Sequence, residues 1–200
     1  LERSFAHQGI NIMTGSTVTR FESGSDGLIV KVEKDGAEQA VACEKVLVAV
    51  GVQANIEDLG LESLGIETEH NCIKIDDKMG TSVPGVFAIG DVTGKLALAH
   101  AASAQGVVAV EHLAGMETQA LDYTMMPRAT YCQPQIASFG LTESQAREQG
   151  YGVRVGKFNV RANGKALAMG EGEGIVKLVI DERYGELLGG HMIGPEVTEL

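Results

Sequence analysis

Alternating hydrophobic and polar residues in the first fifty positions predict antiparallel β-structure. The run "GLIVKVEK" (27–34) places both of its valines on one face, as expected for a strand that is covered on one side only. The dipeptides Asp26-Gly27 and Asp35-Gly36 favour tight hairpin turns between such runs. We therefore predict that residues 10–50 are mainly β-strands.

Two other apolar runs do not alternate. "KVLVAVG" (45–51) and "VFAIGD" (86–91) have the continuous apolar character of strands that are buried on both faces. The intervening residues 55–80 predict a short helical turn and then a strand near 71–76. The Ala-rich stretch 97–114 predicts a helix that ends at Gly115.

The character of the chain changes again at about residues 121–126, where we place a boundary. "MMPRATYCQPQIASFG" (125–140) predicts two strands around Pro134. Thr142 and Gln145 have the spacing of a capping box, which predicts a short helix that is closed by Gly150. The apolar runs that follow predict an antiparallel meander.

Composition narrows the possible functions. A formal net charge of −11 argues against a nucleic-acid partner, and no apolar run is long enough to predict a membrane span. Cys43, Cys72 and Cys132 are odd in number and far apart in sequence, so we expect reduced thiols in a cytoplasmic protein and no metal site. The chain begins with Leu1 rather than Met, and we expect it to be an internal fragment of a longer protein.

Asp91 is the main candidate for chemistry, because it directly follows the second apolar run. In open α/β sheets, ligands bind beyond the carboxyl ends of strands. A carboxylate there accepts hydrogen bonds and so suits the adjacent hydroxyls of a polyol, while the N–H groups of the next helix suit a ligand edge that gains negative charge. Spacing alone is equally consistent with a residue that shapes a turn or caps the helix.

The stretch "TSVPGVFAIGDVTGKLALAHAASAQG" (81–106) resembles the second flavin-binding motif of the two-dinucleotide-fold disulfide oxidoreductases. The resemblance extends over the whole chain and implies an α/β fold with an α+β C-terminal part. Residues 1–52 would be the end of an NAD-binding domain, and residues 53–121 the central FAD-binding segment. Residues 122–200 would be a truncated dimerisation (interface) domain built on an antiparallel sheet.

The same resemblance implies two cofactors and their contacts. The aspartate would bond the ribityl chain of FAD, backbone amides at the helix start would lie near the flavin pyrimidine ring, and the glycine that ends the first apolar run would lie near the nicotinamide of NAD. The implied residues are Gly90, Asp91, Ala97, Leu98, Ala99 and His100 for FAD, and Ala49, Val50, Gly51 and Val52 for NAD. The family commonly has Gly-Arg-x-Pro at the latter place, whereas this chain has "GVQAN", so the positive charge at position 52 is missing.

The residues that carry the family's chemistry do not occur in this chain. It has no Cys-x4-Cys pair, no His-Glu acid–base pair and no Gly-rich dinucleotide fingerprint. We expect His100 to act through its backbone, His112 to suit the helix dipole and His191 to be structural. The chain by itself is therefore expected to be inactive and to bind FAD weakly.

Two segments, "LAHAA" and "GGHMIGPEVTEL", look most like the family members that oxidise dihydrolipoamide with NAD. This implies a homodimer whose partner is the lipoyl domain of a 2-oxo acid dehydrogenase complex acyltransferase, with no role for nucleic acid or membrane. Two alternatives stay open. The parent is an oxidoreductase of the glutathione or mercuric reductase type, or the isolated chain is a non-catalytic dimerisation module.

Overall fold

The computed structural model describes residues 1–24 and 27–200, which form two compact units, Leu1–Val52 and Gln53–Leu200. Asp26, from the first predicted hairpin turn, lies outside the described residues. Within the described part of the chain, no helix has both the length and the apolar character needed to cross a membrane.

The first unit is a three-stranded antiparallel sheet preceded by a short helix. Its elements are α1 (Glu2–His7), β1 (Thr17–Gly24), β2 (Gly27–Lys34) and β3 (Ala37–Cys43), with β2 in the middle of the sheet. Val30 and Val32 are buried, so the predicted one-sided strand is confirmed. Asp35 and Gly36 have φ angles of 51° and 78°, the positive values that a tight type I′ turn requires, and the predicted β2–β3 hairpin is confirmed.

Two segments of the first unit that we predicted as strands are irregular. Residues 10–15 and 45–51 contain no strand, and Leu47 and Val50 are 90% and 93% exposed. An apolar run becomes a buried strand only where neighbouring strands and a covering layer are available. None of the described strands pairs with residues 45–51, so the prediction of a buried strand there is wrong for this chain.

The second unit begins with a small core around one long helix. Its elements are α2 (Leu61–Leu64), β4 (Thr68–Glu69), β5 (Cys72–Ile73) and α3 (Ala99–Leu113). The predicted helical turn is confirmed, and the predicted strand near 71–76 is only two residues long. The buried apolar side chains are Ile66, Ile73, Ile75, Met79, Ala88, Val108 and Ala109.

The run at 86–91 is not a strand, and this prediction is also wrong. Its only β-interaction among the described residues is an isolated bridge between Gly80 and Phe87. Ala88 is buried against the small core, but Ile89 is 44% exposed. The run packs on one face and lacks the partners that would cover the other.

Helix α3 ends where the sequence predicts. Ala114 is its C-cap, and Gly115 follows with a φ angle of 77°. The N–H of Gly115 donates to His112 O (2.9 Å), and the N–H of Met116 donates to Glu111 O (3.0 Å). This pair of bonds is a Schellman motif, which a glycine at this position favours.

The rest of the second unit is a five-stranded antiparallel sheet with the order β6-β7-β10-β9-β8. Strands β8, β9 and β10 are consecutive neighbours, which confirms the predicted meander. The capping box of Thr142 and Gln145 is also confirmed at the start of α4. The elements are β6 (Arg128–Thr130), β7 (Gln135–Gly140), α4 (Glu143–Glu148), β8 (Val153–Asn159), α5 (Gly164–Ala168), β9 (Ile175–Asp181) and β10 (Leu187–Gly194).

Candidate functional site

The candidate site is built around a tight turn at Gly90. Gly90 has φ and ψ angles of 79° and −156°, a region that essentially only glycine occupies. A single 3₁₀ turn, Asp91–Thr93, follows it. The turn is closed from within, because the N–H and the hydroxyl of Thr93 both donate to Gly90 O, at 3.0 and 2.8 Å.

Asp91 opens this 3₁₀ turn with an exposed side chain. The carboxylate has no hydrogen bond or ion pair to any residue that the structure describes. The turn is held by Thr93 and the backbone, and Asp91 does not cap α3. The two structural roles that spacing left open for Asp91 therefore do not account for its carboxylate, which is free to accept hydrogen bonds from a ligand.

The N-terminus of α3 lies against the same turn. A Cβ built on Gly90 would lie 3.5 Å from the Cβ of Ala102, in the first turn of the helix. The N-cap residue, Leu98, has extended backbone angles, and no described side chain caps the helix. The first intrahelical bond runs from the N–H of Ala102 to Leu98 O (3.0 Å), so the amides of Ala99, His100 and Ala101 have no intrahelical acceptor. Ala99 and His100 are exposed, and their amides are available as donors.

The three histidines that we excluded from chemistry all have structural contacts. His100 Nε2 lies 2.9 Å from Pro127 O, which ties the start of α3 to the chain just before β6. The ring of His112 packs against Phe87 with the ring centroids 6.2 Å apart. His191 Nε2 lies 3.0 Å from Leu141 O, a contact between β10 and the residue that follows β7, and its structural role stays a prediction.

Gln105 is the residue at this site that sequence reasoning missed. It lies in the middle of α3 and is 1% exposed. Its Oε1 accepts a hydrogen bond from the N–H of Gly90, and its Nε2 donates to Tyr123 OH (2.9 Å) and Thr93 Oγ1 (3.4 Å). One carboxamide therefore joins both ends of the turn to the helix and to Tyr123.

A signal for Gln105 was present in the sequence. The buried face of α3 consists of Ala101, Gln105, Val108 and Ala109, which follow helical spacing. A polar residue on an otherwise apolar face must find hydrogen-bond partners inside the protein. The pattern thus marks Gln105 as a bonded residue, although it does not identify the partners.

The four residues implied for NAD lie in the first unit. Ala49, Val50, Gly51 and Val52 are all exposed in an irregular segment, and Gly51 has a φ angle of 112°. The resemblance implied that these residues end a strand, and in the structure they do not. Their role in binding a nicotinamide stays a prediction.

A cluster of ion pairs lies away from the turn, at the start of α4. Glu143 forms ion pairs with Lys177 (2.8 Å) and Arg147 (3.1 Å). These hydrogen bonds, the one from Lys177 first, lower the pKa of the Glu143 carboxyl below its usual value. The three ion-paired side chains belong to α4 and β9, so they support the sheet rather than the candidate site.

Comparison with protein-family models identifies the family of this chain. The model of the family "Pyridine nucleotide-disulphide oxidoreductase" matches residues 1–106, and that of its dimerisation domain matches residues 126–200. The chain therefore belongs to the pyridine nucleotide-disulphide oxidoreductase family.

Individual relatives and solved structures point to the same family. The chain is 54% identical to the dihydrolipoyl dehydrogenase of Mycobacterium leprae and 44% identical to that of Bacillus subtilis, in each case over 100% of this chain and 43% of the relative. The chain thus spans about two-fifths of the length of these curated relatives. The crystal structure of LpdA from Mycobacterium tuberculosis matches with a TM-score of 0.88 and 27% identity, over 99% of this chain and 43% of that one. The HOCl-induced flavoprotein disulfide reductase RclA of Escherichia coli matches with a TM-score of 0.86 and 25% identity, over 98% of this chain and 45% of that one.

Proposed function

We propose that this chain is part of a longer FAD-dependent enzyme that oxidises protein-bound dihydrolipoamide with NAD as the electron acceptor. The observation that carries the proposal is the free Asp91 carboxylate, which is presented by a glycine turn that packs against the uncapped start of α3. Family membership supports the same reading.

The donors and acceptors at the turn fit one part of FAD. The Asp91 carboxylate accepts hydrogen bonds, and the ribityl chain of FAD offers adjacent hydroxyls as donors. The amides at Ala99 and His100 are donors at the positive end of a helix, which suits the flavin edge that becomes electron-rich on reduction. Gly90, Ala97 and Leu98 complete the proposed FAD-binding set, and Ala49, Val50, Gly51 and Val52 form the proposed NAD-binding set.

When FAD is bound, it supplies the redox chemistry that connects a thiol pair to NAD. In our proposal, the residues of this chain hold and orient the flavin. Asp91 anchors the ribityl chain, and the start of α3 stabilises negative charge at the pyrimidine edge. The turn and the helix are fixed to each other by the hydrogen bonds of Gln105 to Gly90 and Thr93, so the two contacts would be preorganised before FAD arrives.

The choice of dihydrolipoamide rests on the relatives. The matched proteins at 44–54% identity carry the name dihydrolipoyl dehydrogenase. Their name favours this substrate over glutathione or mercuric ion. A lipoyl domain of a 2-oxo acid dehydrogenase complex acyltransferase, or a similar protein, would then present the substrate in the cytoplasm.

The proposed division of the chain follows the resemblance. Residues 1–52 would complete an NAD-binding domain, residues 53–121 an FAD-binding segment, and residues 122–200 a dimerisation domain. The match of a dimerisation-domain model to residues 126–200 supports a homodimer. The five-stranded sheet would then be the part of the chain that faces the partner subunit.

The test of the proposal is Asp91→Ala in the full-length protein that contains this segment. A hydrogen bond to a charged group contributes about 1.5–3 kcal/mol, so each lost bond should weaken FAD binding by about one to two orders of magnitude. Asp91→Asn keeps a neutral acceptor and should lose less. The Kd for FAD is measured by titrating apoprotein and following flavin fluorescence.

A matched control is Asp77→Ala, because Asp77 is an exposed carboxylate of the same unit. This variant should bind FAD like the wild type. Equal FAD affinity for Asp91→Ala and Asp77→Ala would contradict the proposed role of Asp91. Separately, turnover with dihydrolipoamide and NAD, compared with glutathione disulfide, tests the substrate.

A further inference from the structure

Gln105 occupies an unusual position for a polar side chain. It is on the buried face of α3, 1% exposed, among alanine and valine neighbours. A carboxamide at such a place is costly unless its donors and acceptors are bonded, and here both ends are bonded. Its bonds go to the candidate flavin turn on one side and to Tyr123 on the other.

The bond to Gly90 fixes the backbone next to Asp91. Gly90 is in a conformation that glycine adopts without steric strain, but a glycine backbone has many other conformations open to it, so a hydrogen bond is needed to select this one. The Gln105 carboxamide gives this support by accepting the Gly90 N–H and by contacting the Thr93 hydroxyl. Gly90 precedes Asp91 and Thr93 ends the same 3₁₀ turn, so these two bonds fix the backbone that determines the direction of the Asp91 Cα–Cβ bond.

The bond to Tyr123 connects the turn to the five-stranded sheet. Tyr123 OH accepts from Gln105 Nε2 at 2.9 Å, which fixes the rotation of the carboxamide so that Oε1 faces Gly90. The neighbouring residue, Thr124, accepts at its backbone O a hydrogen bond from the N–H of Gly140, at the end of β7 (2.8 Å). A continuous path of hydrogen bonds and backbone thus runs from Gly90 to the sheet.

We propose that Gln105 is a positioning residue that aims the Asp91 carboxylate at the flavin, with Tyr123 holding the Gln105 carboxamide in its working orientation. The inference rests on the proposed flavin role of Asp91. It adds two residues that do not themselves touch the cofactor, and it makes flavin binding depend on the segment that leads into the sheet.

The first arm of the test compares Gln105→Leu with Gln105→Glu in the full-length protein reconstituted with FAD. Leucine keeps the volume and helix propensity but leaves the Gly90 N–H without its acceptor, and we expect the Kd for FAD to rise about tenfold. Glutamate keeps the acceptor oxygen for the Gly90 N–H, and its second oxygen can accept from the Tyr123 hydroxyl in place of the lost Nε2 bond, so it should retain affinity within a few-fold of wild type. Gln135→Leu is the matched control: the side chain of Gln135, in β7, also accepts two hydrogen bonds, both from Thr198, and its loss should leave FAD binding unchanged.

The second arm is a double-mutant cycle with Tyr123→Phe, which removes a single oxygen atom. Tyr123→Phe alone should raise the Kd for FAD a few-fold and shift the visible flavin absorption band in the same direction as Gln105→Leu. Because Tyr123 acts through Gln105, the double variant should bind FAD no more weakly than Gln105→Leu alone. Thermal unfolding is measured in parallel, so a general loss of stability is separated from a change in flavin binding.

The outcomes distinguish this inference from the proposed function. If Asp91→Ala weakens FAD binding and Gln105→Leu behaves like Gln135→Leu, Asp91 binds flavin and the positioning role is wrong. Additive effects of Gln105→Leu and Tyr123→Phe on the free energy of FAD binding would also overturn it, because the effects of two independent contacts are additive. Should Gln105→Leu fail to fold, Tyr123→Phe and Gln105→Glu carry the comparison: wild-type affinity for Tyr123→Phe, or a tenfold loss for Gln105→Glu, would contradict the inference.

Discussion

Two glycine-to-alanine substitutions in the same part of the fold should have opposite effects on stability. At Gly90, an alanine Cβ has space, since its nearest neighbour is the Cβ of Ala102 at 3.5 Å. The cost comes from the backbone, because φ and ψ of 79° and −156° suit glycine only. Such a conformation costs a non-glycine residue on the order of 1–3 kcal/mol. The turn cannot relax freely, because Gln105 and Thr93 hold Gly90 by hydrogen bonds.

Gly106 provides the matched control in the neighbouring helix. An alanine Cβ there would lie 3.4 Å from Cδ1 of Ile89, whose half-exposed side chain can move slightly. Alanine is about 0.8–1 kcal/mol better than glycine in a helix interior. We therefore expect Gly106→Ala to stabilise the second unit by up to about 1 kcal/mol and Gly90→Ala to destabilise it.

Tyrosine fluorescence is a suitable assay for these two variants. The chain has no tryptophan, and all of its four tyrosines lie in residues 53–200, so the signal follows the second unit alone. With a urea slope of about 2 kcal/mol/M, Gly90→Ala should lower the unfolding midpoint by roughly 0.5–1.5 M. A Gly90→Ala midpoint equal to that of wild type, at equal slope, would show that the backbone at this turn is not restricted to glycine.

Two further predictions concern the start of α4. Thr142→Ala removes the Thr142 hydroxyl that accepts the Gln145 N–H in the capping box, and it should destabilise the second unit by about 1 kcal/mol, whereas Thr142→Ser should be close to wild type; urea unfolding measures the difference. Glu143 has a pKa below its usual value in the folded state, so its ion pair with Lys177 stabilises the fold above the carboxyl's ordinary pKa. Glu143→Gln should therefore be less stable than wild type at neutral pH, and the difference should vanish as the pH falls through the lowered pKa. A difference that persists in strong acid would argue against an ionic origin.

Local signals in the sequence were sufficient to predict the helix ends and the turn that depend only on residues close in sequence. Gly115 ends α3 through bonds to the preceding turn, and Thr142 starts α4 through bonds to the following one. The turn at Asp35 and Gly36 needs only two residues that tolerate positive φ. Each of these features depends on neighbours within a few residues, so a single sequence contains the information for it.

The predictions of buried strands at the two apolar runs were wrong for a non-local reason. A central strand is defined by the strands on both sides of it, and no described strand pairs with residues 45–51. The run at 86–91 has one isolated bridge in place of a ladder. For the candidate site, the sequence predicted Asp91 and the start of α3, and their role stays a prediction. The three bonds of Gln105 join residues 12 to 18 positions away, which no spacing rule reveals.

The exposed run after β3 has a practical consequence for anyone who handles this chain. Residues 46–52 carry no charge and no proline, and Leu47, Val50 and Val52 are each more than four-fifths exposed. Short uncharged segments with high β-propensity pair with identical copies of themselves. At high concentration we therefore expect the chain to aggregate by strand-to-strand pairing of this segment. Val48→Lys, which places a charge in the segment, should reduce this aggregation.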